Sequence, residues 1–275
     1  MFPIRFLGFA FALTALAPLS SADTLTVGPA GSGAQFTQIQ AAIDAAQDDD
    51  VLLVQPGTYQ RIVVDNPLRI LGDGTGIVRN TVDFQSVIIR DIGVGEEFVL
   101  SGAEIRGMSA PVLLQNCPGT VVLQDMVVPA NGFGSSGMYV DNCARAVLLD
   151  SRVFGGGYFD FNPELGIASA VFVRDSVLWI ANSEVDSRDG DDRDDRSPGV
   201  QLVNSALHAW RTSIRGSSHG GNCDECSNDG GPGILAAGST VSLFGGPTSL
   251  VVGGHGSFHF RYIGQGGPGL ELTSN

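Results

Sequence analysis

The densest chemistry-bearing stretch of the chain runs from Asp186 to Arg196, DSRDGDDRDDR. Six aspartates stand there among three arginines. Hard carboxylate oxygens at this density suit Ca²⁺, with Asp189, Asp191, Asp194 and Asp195 as candidate ligands, although the complete spacing of a calcium loop is missing. The interleaved arginines compete for the same carboxylates, so a self-neutralised, solvated loop is the competing reading. A second insertion, GGGYFDFNPELG, places Tyr158, Phe159 and Phe161 beside Asp160 and Glu164. Aromatic rings pack on sugar faces and carboxylates bond sugar hydroxyls. Two carboxylates at the right separation also cleave glycosidic bonds, which makes Asp160, Glu164 and Asp192 candidate catalytic acids. The structural alternative is that the rings anchor their own loop to the body of the protein.

The stretch SSHGGNCDECSNDGG carries Cys223 and Cys226 with His219 close by. Three zinc ligands are available, but a single CxxC in an exported chain is read first as a Cys223–Cys226 disulfide that stiffens a glycine-rich loop. Cys117 and Cys143 are a different pair, each directly after a turn asparagine. A disulfide and two stacked thiols remain open for them.

The elements that must position these groups are short strands between polar corners. LLQNCPGTVVLQDMVV, YVDNCARAVLLDSRVF, FVRDSVLWIANSEV and QLVNSALHAWRTSI share a strand, a polar turn and a second strand. Aligned in this way, Asn116, Asn142, Asp175 and Asn204 occupy one turn position, and Ile105, Val128, Val153, Val185 and Ile214 one apolar position. The period is irregular, as in a solenoid whose coils carry insertions. Coils paired in parallel stack equivalent residues about 4.8 Å apart into columns. The asparagines then form an amide ladder at a corner that needs left-handed backbone. Residues preceding the apolar column, Glu104, Val127, Arg152, Glu184 and Ser213, form an outward column in which Arg152 and Glu184 are neighbours. Such a pair suits sugar-acid binding or acid–base catalysis, and as readily forms a surface ion pair.

The segments Gly155 to Ile167, Ser187 to Gly199 and Gly216 to Gly233 follow the same strand of three successive coils, and together with Pro129 to Gly137 they predict one contiguous loop surface. Near the start of the chain, Phe36, Ile39, Ile43 and Ala46 recur at helical spacing. They predict a short amphipathic helix able to plug an open coil. The apolar run Val51 to Val54, the Pro56–Gly57 turn, the alternating run Tyr59 to Val64, the Asn66–Pro67 corner and the strand Leu68 to Leu71 then make one coil.

This stretch, Val27 to Gly74, resembles the N-terminal cap and first coil of the pectin lyase-like superfamily, including pectin methylesterases and secreted bacterial β-helix proteins. The resemblance implies an all-β fold, a single right-handed parallel β-helix of about eight coils with a short N-terminal capping helix. Catalytic signatures of the superfamily do not transfer. Asp191–Asp192 and Gly254–His255–Gly256 are similar to polygalacturonase elements, without the surrounding pattern. Asn80 to Phe84 looks like the VDF segment of pectin methylesterases but stands directly after the first coil. Lysine-base lyases are excluded because the chain contains no lysine. An arginine base, from Arg152, Arg174 or Arg215, stays open.

Arg5, the apolar run Phe6 to Ala17 and the small residues up to Ala22 read as a secretory signal over residues 1–22, which leaves one domain over 23–275 outside the cytoplasm, secreted or at the cell surface. No later segment is long and apolar enough to span a bilayer. The net charge of −14 repels nucleic acid and anionic lipid. Thirty-eight glycines suit tight corners between short strands. No closing helix is evident before Asn275, so the C-terminal edge is a place where a second subunit could pair.

These readings converge on a secreted β-helix that binds polysaccharide or cell-surface glycan through a loop-lined face without catalysis. No cofactor is required on this reading, and Ca²⁺ is the metal it allows. The alternative is a polysaccharide hydrolase or lyase acting at the same face.

Overall fold

The computed structural model describes residues 22–79, 86–107, 110–129, 136–155, 169–187, 197–218, 230–244, 250–253 and 268–273. The described strands pair in parallel throughout and wind into a right-handed β-helix with three faces. On the first face, β1 (Thr24–Val27) pairs with β2 (Val51–Val54), followed by the starts of β5 (Arg69–Arg79) and β7 (Glu97–Arg106). The later parts of β8 (Val112–Val128) and β9 (Met138–Leu149) continue it, then β12 (Val177–Ala181), β15 (Ala206–Trp210) and β18 (Thr240–Phe244). The second face starts at β3 (Thr58–Tyr59) and ends in β10 (Arg152–Gly155), β13 (Glu184–Ser187), β16 (Ser213–Arg215) and β19 (Leu250–Val252). The third runs from β4 (Ile62–Val64) and β6 (Val87–Arg90) to β11 (Val171–Arg174), β14 (Val200–Val203), β17 (Ile234–Ala237) and β20 (Leu270–Thr273).

Period-2 alternation in each short strand sends one set of side chains inward, and parallel register stacks them. Ile105, Val128, Val153, Val185 and Ile214 are all buried, and the pairing of β7, β8, β10, β13 and β16 puts them in one inward column, as their sequence alignment predicts. Corners follow a compact rule. A residue with positive φ turns the chain and the next side chain points inward. At one corner Asp91, Asn116, Asn142, Asp175 and Asn204 have φ between 47° and 58°, and Asn142 Nδ2 donates to Asn116 Oδ1 at 3.0 Å. Asn and Asp carry this conformation at lower cost than other chiral residues because their short polar side chains bond locally.

Cys117, Cys143, Ser176 and Ser205 follow these corner residues and are buried. Ser176 Oγ accepts from Cys143 N at 2.8 Å and donates to Arg174 O at 2.6 Å, so one hydroxyl satisfies two backbone groups that the corner would leave unpaired. Cys117 and Cys143 are register partners and both are free thiols, which resolves the two readings of this pair in favour of stacked thiols.

The capping helix is present but shorter than the spacing predicts: α1 covers Ile39–Ile43 and buries Ile39, Ala42 and Ile43. Phe36 instead forms a parallel bridge with Val27, with Phe36 N donating to Thr26 O at 3.0 Å, and Gln38 is extended. A main-chain bridge outcompetes an extra helical turn because it satisfies the edge of β1. Glutamine amides complete the seal. Gln40 Oε1 accepts from Val63 N at 2.7 Å while its Nε2 donates to Val63 O at 3.2 Å, imitating the strand that β4 lacks.

Candidate functional site

The corner between the first and second faces builds an open groove from three repeats of one local pattern: a left-handed residue, a buried hydroxyl, then an outward side chain. The triplets are Asp150–Ser151–Arg152, Asn182–Ser183–Glu184 and Arg211–Thr212–Ser213. Positive φ at Asp150 (48°), Asn182 (50°) and Arg211 (48°) turns each coil. The buried hydroxyls then hold the turns together. Ser151 Oγ accepts from Met126 N at 3.0 Å, Ser183 Oγ accepts from Ser151 N at 3.1 Å, and Thr212 Oγ1 donates to Trp210 O at 3.0 Å. Main-chain bonds from Asp150 N to Ala181 O and from Asn182 N to Trp210 O, both 3.0 Å, lock coil to coil. The groove walls are thus rigid backbone, and only the lining side chains are free to adapt.

Arg152, Glu184 and Ser213 are register neighbours, as the sequence alignment predicts, one coil apart. Glu184 is half-buried and Arg152 exposed, and no ion pair joins them among the described residues. On the third face an equivalent one-coil separation is used differently. Arg174 donates to both oxygens of Asp141, 2.8 Å each, in a closed bidentate pair. The surface ion pair expected between Arg152 and Glu184 is not formed among the described residues, while Arg174 on the third face pairs with Asp141. With Asp150 and Arg211, Arg152 and Glu184 give the groove two charges of each sign.

Arg211 connects the groove to a feature that the sequence reading passed over. Its guanidinium carbon lies 5.9 Å from the centroid of Trp210, which is 48% exposed on the outer side of β15. Trp210 is stacked with Phe244 at 6.5 Å, and one step along the first face Trp179, 41% exposed, stacks on His208 at 4.1 Å with the Arg145 guanidinium 5.9 Å from its ring. These aromatics stand exposed on the sheet, beside cations and next to the polar groove. The signal was available in the repeats: Trp179, His208 and Trp210 alternate with buried Leu178, Ile180, Leu207 and Ala209, so they must point outward.

Arg211 is also an exception among the left-handed corner residues. Its equivalents in neighbouring coils, Asp150 and Asn182, are residue types that tolerate positive φ, whereas an arginine there stores strain.

Of the residues singled out from sequence, Arg152 and Glu184 are brought together at this groove. Tyr158, Phe159, Asp160, Phe161 and Glu164 lie outside the described residues, as do Asp189, Asp191, Asp192, Asp194, Asp195, Cys223 and Cys226. Among the described residues no group of His, Cys, Asp and Glu is arranged to hold a metal ion. Strands β10, β13 and β16, which the insertions follow in sequence, end on the side of the second face away from the groove. On the third face Tyr139 and Phe172 are on the outer side but buried, with ring centroids 5.2 Å apart, so the open aromatic surface belongs to the first face.

The fold and groove define a right-handed parallel β-helix with an open polar corner. Among solved structures the chain is similar to pectate lyase Pel9A, at 12% identity and a TM-score of 0.47 over 84% of this chain and 79% of that one. It is similar also to a pectin methylesterase from carrot, at 12% identity and a TM-score of 0.38 over 91% and 88%. A PL6-family alginate lyase matches at 13% identity and a TM-score of 0.40 over 92% of this chain but 40% of its own. The fold rests on the strand register of this chain, which meets the expectation of a parallel β-helix. No protein-family model matches the chain, and no curated protein sequence does. No helix among the described residues is long and apolar enough to cross a membrane.

Proposed function

We propose that the protein is an exported glycan-binding β-helix that holds an extended saccharide along the groove between its first and second faces, without cleaving it. The observation that carries this reading is the juxtaposition of the side chains of Asp150, Arg152, Asn182 and Glu184, which have no hydrogen-bond partner among the described residues, with the exposed indoles of Trp179 and Trp210, the latter beside Arg211. Sugars need both kinds of contact. Their hydroxyls bond carboxylates, amides and guanidinium groups, and their C–H faces cover apolar rings. A row of sites repeating once per coil on rigid backbone suits a polymer better than a compact metabolite. A groove this open leaves a reacting bond wet, which favours retention over turnover, since acid–base catalysis gains most where water is excluded. The aromatic–acidic insertion at 156–168 and the aspartate-rich loop at 188–196 remain candidates for additional glycan and Ca²⁺ contacts.

The test is retention of the exported chain on immobilised neutral and acidic polysaccharides, with and without Ca²⁺, alongside assays for reducing ends and unsaturated products. The expected result is retention without cleavage, weakened about five- to thirtyfold by Trp210→Ala or by Arg152→Ala. Each of those variants removes a contact of the kind worth about 1–2 kcal/mol. Retention untouched by both substitutions would refute this groove as the site. Turnover lost in Glu184→Gln would replace binding by the catalytic reading.

A further inference from the structure

One column of the solenoid carries sulfur where later coils carry oxygen. After the left-handed corner residues Asp91, Asn116, Asn142, Asp175 and Asn204, the inward-turned residues are Ile92, Cys117, Cys143, Ser176 and Ser205. From Ser176 onward hydroxyls hold the corner. Each accepts a main-chain N–H from the coil before it: Cys143 N to Ser176 Oγ at 2.8 Å, Ser176 N to Ser205 Oγ at 3.2 Å and Ser205 N to Ser239 Oγ at 2.9 Å. Each also donates to the carbonyl two residues back, at Arg174, Val203 and Ala237. The thiols take the same posture. Cys117 Sγ donates to Gln115 O at 3.3 Å and Cys143 Sγ to Asp141 O at 3.4 Å. Sulfur is the weaker donor and acceptor, so serine would serve these two corners better. Two cysteines on adjacent levels therefore need another reason, and what sulfur adds to the column is redox chemistry. Cys117 and Cys143 are register partners, which sets their Cα atoms about 4.8 Å apart, inside the span of a disulfide. Their thiols already share a hydrogen bond, and that bond draws the Cys117 thiol down to about 7 against the opposing effect of burial. Both are buried, at 0% and 1% exposure, yet they lie shallow: exposed Asn116 and Pro118 flank one, exposed Asn142 and Ala144 the other.

We propose that Cys117 and Cys143 form an oxidative modification site, converted by hydrogen peroxide into a disulfide that staples the coil of β8 to the coil of β9. Peroxide is the fitting oxidant because it is little larger than water and the thiols lie one residue beneath the surface. The Cys117 thiolate attacks a peroxide oxygen. The S–O bond forms, the O–O bond breaks, and the departing hydroxide leaves as water with the proton that Cys117 gave up. Cys143 sulfur then attacks the sulfenic sulfur of Cys117. The S–S bond forms, the S–O bond breaks, and the Cys143 proton leaves with the second hydroxide as water. Two thiols thereby give two electrons and two protons to one peroxide. The staple fixes the coil that leads into Asp150 and Arg152 to the coil before it.

Peptide mapping of the exported chain reads the bond directly. The chain has no lysine, so trypsin cuts after arginine and leaves residues 107–145 as one peptide holding both cysteines, while Cys223 and Cys226 fall in another, 216–261. Native, reduced protein is treated with hydrogen peroxide, quenched, unfolded and alkylated with iodoacetamide before digestion. The expected 107–145 peptide carries no alkyl group and is about 2 Da lighter than its dithiol form. The oxidised protein should also melt roughly 5–15 °C higher. Cys117→Ser and Cys143→Ser should each abolish both changes, and both variants keep the fold because serine already fills this place at 176 and 205. In Cys143→Ser, Cys117 has no thiol to resolve it and should stop at sulfenic acid, captured by dimedone. Two alkylated cysteines after native treatment, or a bond that forms only in the unfolded chain, would overturn the proposal. So would wild-type Cys117 carried on to sulfinic acid without a bond to Cys143, since the two sulfurs would then be shown not to meet.

Discussion

Replacing Ser176 by alanine probes the corner rule on which both the fold and the groove depend. The hydroxyl is buried, accepts from Cys143 N at 2.8 Å and donates to Arg174 O at 2.6 Å. Alanine fits the same space, so little packing is lost. What changes is that the Cys143 N–H is left in the core without a partner, at a cost of about 1–3 kcal/mol. In a domain of this size each kcal/mol lowers the thermal midpoint by roughly 2–4 °C, so a central value near 2 kcal/mol predicts a fall of about 4–8 °C. Because a solenoid need not unfold in one step, hydrogen exchange is the sharper assay. The Cys143 amide should lose protection far more than amides several coils away. Ser176→Cys should recover part of the loss, since Cys117 and Cys143 already fill the preceding places in this column, Cys143 Sγ donating to Asp141 O at 3.4 Å. A Ser176→Ala protein with an unchanged midpoint and a fully protected Cys143 amide would refute the account of the corners, and with it the claim that the groove rests on rigid backbone.

Two further outcomes follow from neighbouring features. Gly72 faces the next coil so closely that a Cβ built there lies 2.3 Å from the carbonyl oxygen of Gly102, and a backbone atom cannot step aside. Gly72→Ala should therefore destabilise the first coils by about 1–3 kcal/mol, read as a lower thermal midpoint with loss of amide protection confined to β2, β5 and β7. The Cys143 thiol is pushed up, first by its hydrogen bond with Cys117 and then by burial. A raised thiol pKa keeps the folded form protonated while the unfolded chain ionises near its usual value of 9.0, so this group's stabilisation is intact below that pH and is lost above it. Cys143 should resist iodoacetamide at pH 8 in the folded protein and react once the protein is denatured. The decline in stability above pH 9 should be smaller in Cys143→Ser.

Much of the architecture was legible in the residues because the solenoid is built from local rules. Strand alternation, Asn or Asp at most left-handed corners and an apolar column recur from coil to coil, so the sequence alignment of Asn116 and Asn142 is also their alignment in space. That alignment also placed Arg152 beside Glu184. The capping helix was legible as an element but not in length, because the bridge from Phe36 to Val27 depends on a partner strand that spacing alone does not reveal. The aromatic surface was missed for a related reason. Trp179 and Trp210 look like core residues in an apolar run until the pleat is fixed, and only the pleat shows that they stand on the outer side.

Residue types and spacing determined the coil, its corners and its columns, because each is settled within a few bonds of the chain or by repetition of the same choice one coil later. Tertiary structure decided what the columns could do. It closed Arg174 onto Asp141 while leaving Arg152 and Glu184 apart, and it set Arg211 between the groove and Trp210. It also left Leu243 and Leu272 exposed although they stack on buried Ala209 and Ala236. These outcomes depend on side-chain reach across a coil boundary and on where stacking stops, and neither is encoded in any single repeat.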